Sequence, residues 1–596
     1  MSTSNEKYAH FRQFFNSLDT DGNGVVRRKE LHAAVQGSLG DALAQAFDTL
    51  DDNADGTLTW EEFAQLLARL PGVPDGDLST ESLFALIDRD GSGTISAQEL
   101  LHVLASLGTE LTLEGAEAMV REFDHDGNGA IDLKEFAGLL NELRNHPPAP
   151  QTNAPPHVVL NMDVNNTVIM FDSATGADPR ALISMVLANS TWGTVDETGE
   201  RWTPITRDPS VVAPGRGLVT YTSFVAQRVP ITGDVREQKR LRRSMLREFV
   251  SEGKPGEIYL PQAERLFAAL QLPEAIAGSE LARAAGLGGK TVVLLPSFLR
   301  LLWRLSSEGR SFTVVFRTFG HDLDQFVVEY NALWEARHPL FPLRGQPGAV
   351  VRDGSDGGPD MRVRLRSMDG CGTYHRTGTG AGEQDLVLVM GTIEQPEQAT
   401  VDGRKSYEAR IAAGEPLRLI RGSEGIREYL AEQTRRPQTL ALRDFYQGWE
   451  QAACTAPGGK SLLVEDDAPD VLQIFFDDHI LPLDAKIVDA RRAKAGAPAL
   501  PIAAVYGSHL IRAEPLRAIG EPDYFYEAVV EAEKRWRERG SRLCALARAL
   551  GDLDHLRKAL AALSTHGATK NLSYTPHQQS DAVLLTSSEV TFEDDI

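Results

Sequence analysis

Four short segments near the N-terminus carry oxygen-bearing side chains at the same spacing. They read DTDGNGVVRRKE (19–30), DDNADGTLTWEE (51–62), DRDGSGTISAQE (88–99) and DHDGNGAIDLKE (124–135). Each has Asp at position 1, Asp or Asn at 3, Asp, Asn or Ser at 5, Gly at 6 and Glu at 12. Ca²⁺ takes about six to eight oxygen ligands, so a loop must converge several such groups to hold it. The spacing therefore predicts metal-binding loops.

The repeat resembles the EF-hand family, and the resemblance covers residues 8–143. It implies up to four Ca²⁺ ions, one in each loop. Each ion would be held by the side chains at positions 1, 3, 5 and 12 and by the carbonyl of position 7, while Gly at 6 permits a sharp turn. The ligands that it implies are Asp19, Asp21, Asn23, Val25, Glu30, Asp51, Asn53, Asp55, Thr57, Glu62, Asp88, Asp90, Ser92, Thr94, Glu99, Asp124, Asp126, Asn128, Ala130 and Glu135.

Position 9 differs between the loops. Arg27 stands there in the first loop, where a water or a short polar group usually completes the coordination, whereas Asp132 adds a carboxylate in the last. A positive charge opposes the binding of a cation and a further carboxylate favours it. We therefore expect the fourth site to be the tighter and the first the weaker.

The apolar residue at position 8 predicts how the loops pair. We expect two lobes, residues 1–68 and 78–144, each with two loops joined by a short antiparallel bridge. The predicted partners across these bridges are Val26 with Leu58 and Ile95 with Ile131.

A second group of polar residues ends or follows apolar runs further along the chain. Asp163, Asn165 and Thr167 lie in DVNNT after the run at 158–162, Thr318 closes VVFRT, and Asp477 and Asp478 follow VLQIFF. A carboxylate can attack phosphorus, and Mg²⁺ held by carboxylates can neutralise phosphate charge. A lysine such as Lys460 and a threonine can stabilise the transferred oxygens. These residue types are therefore suited to phosphoryl transfer.

In this order the segments resemble the haloacid dehalogenase (HAD) superfamily of phosphohydrolases and phosphotransferases, over about residues 157–530. The resemblance implies that Asp163 is a nucleophile and that Thr318 and Lys460 are catalytic. It implies a Mg²⁺ site near Asp163, Asn165, Asp477 and Asp478. The alternative is an unrelated α/β domain whose strands happen to end in polar residues.

Asn165 departs from the family pattern, which has a second Asp at this position. That Asp protonates the leaving group, and losing such a group typically costs about 10²–10⁴ in rate. Three functions stay open: a calcium sensor that regulates a HAD-like domain with reduced or no hydrolase activity, an active calcium-regulated Mg²⁺-dependent phosphatase or phosphotransferase, and a calcium buffer or scaffold. The first is favoured.

The hydrophobic pattern indicates the elements that must position these residues. Strand-like runs occur in HVVLNMDVNNT, SFTVVFRTFG, VLQIFFDDHI and PIAAVYG (501–507), with helical patterns between or after them. This alternation predicts an α/β sheet with mainly parallel strands, whose C-terminal edge collects ligands. The predicted fold class is therefore multidomain, with all-α EF-hand pairs followed by an α/β Rossmann-like domain with insertions.

The domain boundaries follow from composition. A Pro-rich stretch at 145–157 is predicted to be an extended linker, and residues 158–540 form the HAD-like domain with large insertions. Residues 541–596 are predicted to be a helix, to about residue 563, followed by a flexible tail.

Charge is unevenly spread along the chain. Residues 1–146 hold 26 Asp and Glu against 10 Lys and Arg. This argues for cation binding there and against nucleic acid as a partner. The segment MSTSNEKYAH has no apolar signal region, and no apolar run approaches the length of a membrane span. We expect a cytoplasmic protein with no membrane partner.

One basic amphipathic segment, REQKRLRRSMLREFV (236–250), has an apolar face through Leu241, Met245 and Phe249. Such helices are typical targets of calcium-opened EF-hand lobes. The sequence motivates the hypothesis of an intramolecular docking site here, and a separate protein target of the lobes is the other prediction. A solvated helix in an insertion is the alternative for 236–250.

Overall fold

The computed structural model of the protein describes residues 12–30, 47, 51, 53–63, 80–106, 111–145, 154–171, 176–231, 235–376, 386–396, 403–464, 470–492 and 499–567. Most of the predicted linker and the predicted tail beyond residue 567 lie outside these ranges. The chain divides into two compact units. The smaller takes in Met1–Val120, Gly127–Leu140 and Ala545–Ile596, and the larger Arg121–Asp126 and Asn141–Cys544.

The helices among the described residues are α1 (Arg12–Leu18), α2 (Thr80–Ile87), α3 (Ala97–Ser106), α4 (Leu113–Phe123), α5 (Leu133–Asn145), α6 (Pro179–Ser190), α7 (Tyr221–Arg228), α8 (Val235–Arg247), α9 (Leu260–Ala269), α10 (Glu280–Ala284), α11 (Pro296–Ser307), α12 (Leu323–Trp334), α13 (Gly403–Ala412), α14 (Gly422–Thr434), α15 (Tyr446–Gln451), α16 (Ile502–Val505), α17 (Pro515–Gly520) and α18 (Tyr524–Gly567).

The strands among them are β1 (Val25–Arg27), β2 (Thr57–Thr59), β3 (Thr94–Ile95), β4 (Ile131–Asp132), β5 (His157–Asp163), β6 (Trp192–Val195), β7 (Trp202–Pro204), β8 (Val219–Thr220), β9 (Phe312–Thr318), β10 (Cys371–Arg376), β11 (Leu386–Met390), β12 (Arg418–Arg421), β13 (Thr439–Arg443), β14 (Lys460–Val464), β15 (Val471–Asp477), β16 (Val488–Arg492) and β17 (Leu510–Arg512).

The larger unit is built on one mixed sheet. Its strand order is β12-β11-β10-β13-β9-β5-β15-β17. The strands from β10 to β17 in this order are parallel, whereas β11 and β12 pair antiparallel at one edge. The central strands β9 and β15 are buried along their whole length, as expected when helices cover both faces of a parallel sheet. The prediction of a multidomain protein with a mainly parallel α/β sheet is confirmed.

A large insertion separates β5 from β9. It contains helices α6 to α11 and a three-stranded antiparallel sheet in the order β7-β6-β8. Its aromatic residues form a cluster in which the rings of Tyr221 and Phe249 stack with centroids 4.5 Å apart. Phe249 is fully buried, and Met245 packs against the same core. The apolar face of the predicted basic helix 236–250 therefore contributes to the core of the larger unit, although Leu241 is half exposed.

Two local predictions need correction. The run PIAAVYG at 501–507 is not a strand, because Ile502–Val505 is a short helix preceded by Pro501 and the edge strand is β17. A short apolar run does not by itself distinguish helix from strand. The helix predicted to begin at residue 541 is instead the later part of α18, which is continuous from Tyr524. Glycine in a helix interior costs only about 1 kcal/mol, so Gly540 does not end it.

Candidate functional site

The first candidate site is the set of four acidic loops, and its geometry begins with the backbone. The glycine at position 6 lies in the left-handed region in every loop, with φ of +86° at Gly24, +80° at Gly56, +82° at Gly93 and +87° at Gly129. A side chain is strained in this conformation, so the glycine permits the turn that brings both ends of the loop together.

Position 1 is oriented by hydrogen bonds from the middle of its own loop. In the first loop Asp19 accepts from the N–H groups of Asn23 and Gly24, at 3.1 and 2.7 Å. Asp51 and Asp88 accept from the corresponding N–H groups of the second and third loops. These three loops therefore hold their first carboxylate facing inward.

Position 12 is fixed in all four loops by one recurring hydrogen bond. Its glutamate Oε2 accepts from the N–H of position 9 at 2.8–2.9 Å in Glu30, Glu62, Glu99 and Glu135. In the first loop the N–H of Arg27 and other donors hold the pKa of Glu30 below its usual range. The glutamate that closes each loop is thus held in place by the backbone of its own loop.

The carboxylates converge enough to share one ion. One oxygen from each of positions 1, 3 and 12 lies within 4.8 Å of the others in three loops, through Asp19, Asp21 and Glu30, through Asp88, Asp90 and Glu99, and through Asp124, Asp126 and Glu135. In the second loop the hydroxyl and N–H of Thr57 donate to Asp55 and hold its pKa low. Hard carboxylate oxygens in this arrangement fit Ca²⁺.

The two position-9 residues behave differently. Arg27 Nη1 lies 2.8 Å from Asp21 Oδ2, with both side chains half exposed. The Arg27 guanidinium therefore pairs with the Asp21 carboxylate, which is one of the predicted ligands of the ion in the first loop. Asp132 instead accepts from the N–H of Glu135 at 2.8 Å through Oδ1, which caps helix α5 and adds negative charge beside the fourth loop.

The loops are joined in pairs as predicted. β1 and β2 are antiparallel with Val26 opposite Leu58. β3 and β4 are antiparallel with Ile95 opposite Ile131. These bridges confirm the pairing of the first loop with the second and of the third with the fourth.

The second candidate site is a cluster of side chains at one edge of the large sheet. Asp163 ends β5, Thr318 ends β9 and Asp477 ends β15. These strands are parallel neighbours, so their C-terminal ends meet. Thr318 and Asp477 are fully buried and Asp163 nearly so. We call this group, with Lys460 and Asp478, the strand-end cluster.

Lys460 joins the two strand-end carboxylates. It is the first residue of β14, and its buried ammonium donates to Asp163 Oδ1 and, at 2.8 Å, to Asp477 Oδ2. Its backbone N–H donates to the carbonyl of Ile487 at 2.7 Å, an approach so close that a Cβ on Gly459 would collide with that carbonyl. Asp163, Lys460 and Asp477, which the sequence analysis placed in one site, thus lie together in the structure.

Burial and mutual charge set the protonation of the cluster. Burial raises the pKa of Asp163 to about 7, although the Lys460 ammonium opposes this. Burial also acts on Asp477, but the Lys460 ammonium and the His479 side chain outweigh it and hold its pKa well below the usual range. Burial disfavours the charged form of Lys460, yet Asp163 and Asp477 raise its pKa. Of the two carboxylates, Asp163 is the one that accepts a proton more readily.

The DVNNT turn holds Asp163 and Asn165 in different roles. Thr167 Oγ1 donates to Asp163 Oδ2 at 3.1 Å and fixes that carboxylate. The amide of Asn165 donates to the carbonyl of Phe171 at 3.1 Å and to the buried Asp322 Oδ2 at 3.0 Å. Asn165 is therefore a hydrogen-bond donor to a neighbouring acid rather than a proton carrier.

Gly320 lies close to the side chains of Asp322, Thr318 and Asn165. A Cβ on it would be 2.8 Å from Asp322 Oδ2, 3.6 Å from Thr318 Oγ1 and 3.8 Å from Asn165 Oδ1. The N–H of Gly320 also donates to Thr318 Oγ1 at 2.9 Å. Asp322 thus belongs to the site, although no sequence motif indicated it. Its position four residues after Thr318 was the only available signal.

An ion pair beneath the cluster was also missed from sequence. Arg317 donates to both oxygens of Asp444, at 3.0 and 2.6 Å, and both side chains are almost fully buried. Its third contact, at 2.8 Å, is the carbonyl of Ser461, next to Lys460. The charged residue inside the apolar run FTVVFRT could have indicated it, because a buried arginine requires a partner. The pair supports the start of β14 and so positions Lys460.

The donor set of the strand-end cluster fits Mg²⁺. Asp163 and Asp477 reach the same ammonium, and oxygens of Asp477 and Asp478 lie within 4.8 Å of each other and of a His479 nitrogen. Carboxylate oxygens are the ligands that Mg²⁺ prefers. The sequence-predicted ligands Asp163, Asp477 and Asp478 are therefore at one place, while the side chain of Asn165 turns to Asp322.

A cavity of about 820 Å³ opens beside the cluster. Asp478, His479 and Asn166 line it from the sheet edge, and the other lining residues include Trp192 of the insertion and Arg512 of β17. Ligand pockets for organic molecules commonly have this size. The cluster is therefore next to a space that accommodates more than a phosphate ion.

The paired loops define the N-terminal region as a two-lobed EF-hand module. The family model described as an EF-hand domain pair matches residues 8–68 and 79–140. The probable calcium-binding protein CML25 of Arabidopsis thaliana is 36% identical over 133 residues, 21% of this chain and 70% of that protein. The probable calcium-binding protein CML11 of Oryza sativa subsp. japonica is 33% identical over 143 residues, 23% of this chain and 67% of that protein. The chain belongs to the EF-hand family of calcium-binding proteins.

These matches confirm the predicted EF-hand resemblance, and the HAD-like identity of the α/β domain stays a prediction. Within the described residues, no helix is long and apolar enough to span a bilayer.

Proposed function

We propose that this protein is a calcium sensor: its EF-hand loops bind Ca²⁺ and regulate an α/β domain with a HAD-like phosphate site of low hydrolase activity. The calcium part is supported by the converging carboxylates of the loops and by relatives that are named as probable calcium-binding proteins. Each loop would hold one Ca²⁺ ion.

The phosphate site rests on one observation, the ammonium of Lys460 shared by Asp163 and Asp477. Two carboxylates and one ammonium in a buried place can receive a divalent cation and a phosphate together, since the cation neutralises the carboxylates and the ammonium neutralises phosphate. Thr318 at the same edge adds a hydroxyl for a phosphate oxygen. Mg²⁺, when bound, supplies charge neutralisation.

Low hydrolase activity follows from Asn165. Its amide cannot act as a general acid or base near neutral pH, and it donates hydrogen bonds to the carbonyl of Phe171 and to Asp322. Poor leaving groups need a proton as the P–O bond breaks, and the missing acid costs about 10²–10⁴ in rate. Good leaving groups, such as the acetate of acetyl phosphate, depart without one.

The reaction on such a substrate would have two steps. Asp163 attacks phosphorus, a bond forms between its oxygen and phosphorus, and the bond to the leaving group breaks. Water then attacks the aspartyl-phosphate, the bond between phosphorus and the Asp163 oxygen breaks, and the proton of the water goes to solvent. The products are the free leaving group and inorganic phosphate.

The test compares acetyl phosphate turnover with Mg²⁺ in the full chain and in Asp163→Asn. Asp356→Asn, in an exposed loop, is the matched control. We expect slow turnover that Asp163→Asn abolishes and the control keeps, and a rate that changes between Ca²⁺ and a chelator. Equal rates in wild type and Asp163→Asn would exclude Asp163 as the nucleophile. Equal rates with and without Ca²⁺ would exclude regulation.

A second candidate, an active calcium-regulated phosphatase, is favoured by Asp322. This buried carboxylate lies 3.0 Å from the amide of Asn165, close to where the family's proton carrier would act. If Asp322 carries the proton, Asp322→Asn lowers turnover of alkyl phosphates, which have poor leaving groups, and spares acetyl phosphate. An equal loss on both substrates would reject that role.

A further inference from the structure

The last helix of the chain changes its surroundings along its length. Its first part belongs to the core of the larger unit, where the ring of Phe525 lies 5.4 Å from Phe476 and 6.1 Å from Phe298. Val529 and Ala532 continue this buried face. On α18 the described core of the larger unit extends from Tyr524 to Trp536.

Further along α18 a second apolar face is buried. Leu543, Leu546, Ala549 and Leu550 are 7, 1, 1 and 6% exposed. Their spacing of three, three and one residues puts them on one side of a helix. From Ala545 onward the chain is part of the smaller unit, which otherwise consists of the EF-hand region. Leu546, Ala549 and Leu550 are therefore buried residues of the unit that contains the EF-hand region.

The other side of this segment faces solvent. Ser541 and Arg548 are exposed, so residues 541–550 form an amphipathic helix. Residues 541–567 hold four Lys and Arg against two Asp, whereas residues 1–146 hold 26 Asp and Glu against 10 Lys and Arg. An apolar helix face with a positive balance suits an apolar groove on an acidic module.

The basic segment 236–250, which contains most of α8, is less available for this role. Phe249 is fully buried and Met245 packs in the core of the larger unit. Arg242 is also engaged, because it donates to the carbonyls of Val229 and Ala226 at 2.7 and 2.8 Å. Releasing this face would expose an aromatic cluster to water, which is unfavourable.

We propose that the C-terminal part of α18, beginning at Ala545, is the chain's own target for its EF-hand lobes. The inference rests on calcium binding by the loops, because EF-hand lobes open an apolar groove when they bind Ca²⁺. With Ca²⁺ the groove holds Leu546, Ala549 and Leu550. Without it the groove closes and this part of the helix loses its cover.

Hydrogen exchange of the full chain, read by mass spectrometry on peptides from 545–562, tests this. We expect exchange to be about tenfold slower or more with Ca²⁺ than with a chelator. Leu546→Asp removes the difference because it places a charge in the groove. The matched control Arg548→Asp, the same new side chain on the exposed face, keeps it. Leu546→Ala, a milder change, gives a smaller difference and covers the case in which Leu546→Asp does not fold.

The outcomes separate this inference from the proposed function. A titration with a competing chelator on the same samples measures Ca²⁺ binding itself. Protein that binds no Ca²⁺ refutes the calcium sensor. Protein that binds Ca²⁺ but shows the same exchange of 545–562 in both conditions refutes the docking of α18, as does a loss of protection in Arg548→Asp equal to that in Leu546→Asp.

Discussion

Replacing Arg27 by serine should tighten the first calcium loop. Arg27 Nη1 lies 2.8 Å from Asp21 Oδ2, and an incoming ion must displace it. Both side chains are half exposed, so solvent screens the pair and its free energy is about 0.2–1 kcal/mol. Removing this competition should lower the dissociation constant of the first site by up to about fivefold.

The measurement needs a background in which only the first loop binds. In the full chain, Glu62, Glu99 and Glu135 are each changed to Gln, which removes the closing ligand of the other loops. Ca²⁺ affinity is then measured against a competing chelator. Lys29→Ser is the control, because Lys29 is an exposed neighbour of the same charge with no ion pair to Asp21 among those described.

If Arg27→Ser and Lys29→Ser change the affinity equally, general charge explains the effect and the contact of Arg27 with Asp21 does not. Weaker Ca²⁺ binding in Arg27→Ser would also rule out competition by Arg27 for Asp21. An exposed ion pair is screened by salt, so the difference between the two variants should shrink as ionic strength rises from 0.05 to about 0.5 M.

Other expectations follow from single contacts. Asp132→Asn keeps the helix cap but removes a charge, so it should weaken the fourth site several-fold in a chelator titration and leave the melting temperature unchanged. Asn165→Asp alone should raise the rate of alkyl phosphate hydrolysis only a little. Its new carboxylate would lie about 3.0 Å from that of Asp322, and the two negative charges would repel each other. Adding Asp322→Asn removes this repulsion and should raise the rate further. Arg317→Met should destabilise the fold by about 3–5 kcal/mol in urea unfolding, since it strands a buried carboxylate, and replacing its partner as well should recover most of this. Gly540→Pro should interrupt α18 and abolish any effect of Ca²⁺ on acetyl phosphate turnover, whereas Gly540→Ala should keep it.

The calcium loops were predictable from sequence because their chemistry is local. All ligands of one loop fall within twelve residues, and the left-handed glycine at position 6 is fixed by the same segment, as at Gly24 and Gly93. The bridges between loops also followed, because the position-8 residues are apolar and equivalent. What sequence did not indicate was the contact of Arg27 with Asp21, since side-chain direction decides it.

The strand-end cluster was predictable only in part. Residues at the ends of neighbouring parallel strands must meet, so Asp163, Thr318 and Asp477 could be grouped from the hydrophobic runs alone. Asp322 and Asp444 could not, because they reach the site from loops whose paths depend on packing. The segment 501–507 was wrongly predicted to be a strand, because four apolar residues show too little periodicity to distinguish a helix from a strand.

Helix α18 contributes residues to both compact units of the chain. Its first part packs through Phe525 against Phe476, the residue before Asp477 in β15. Its later part, from Ala545, belongs to the unit that contains the calcium loops. In the larger unit α18 packs directly behind the strand that ends at Asp477, so the regulation proposed above should be sensitive to the packing of Phe525.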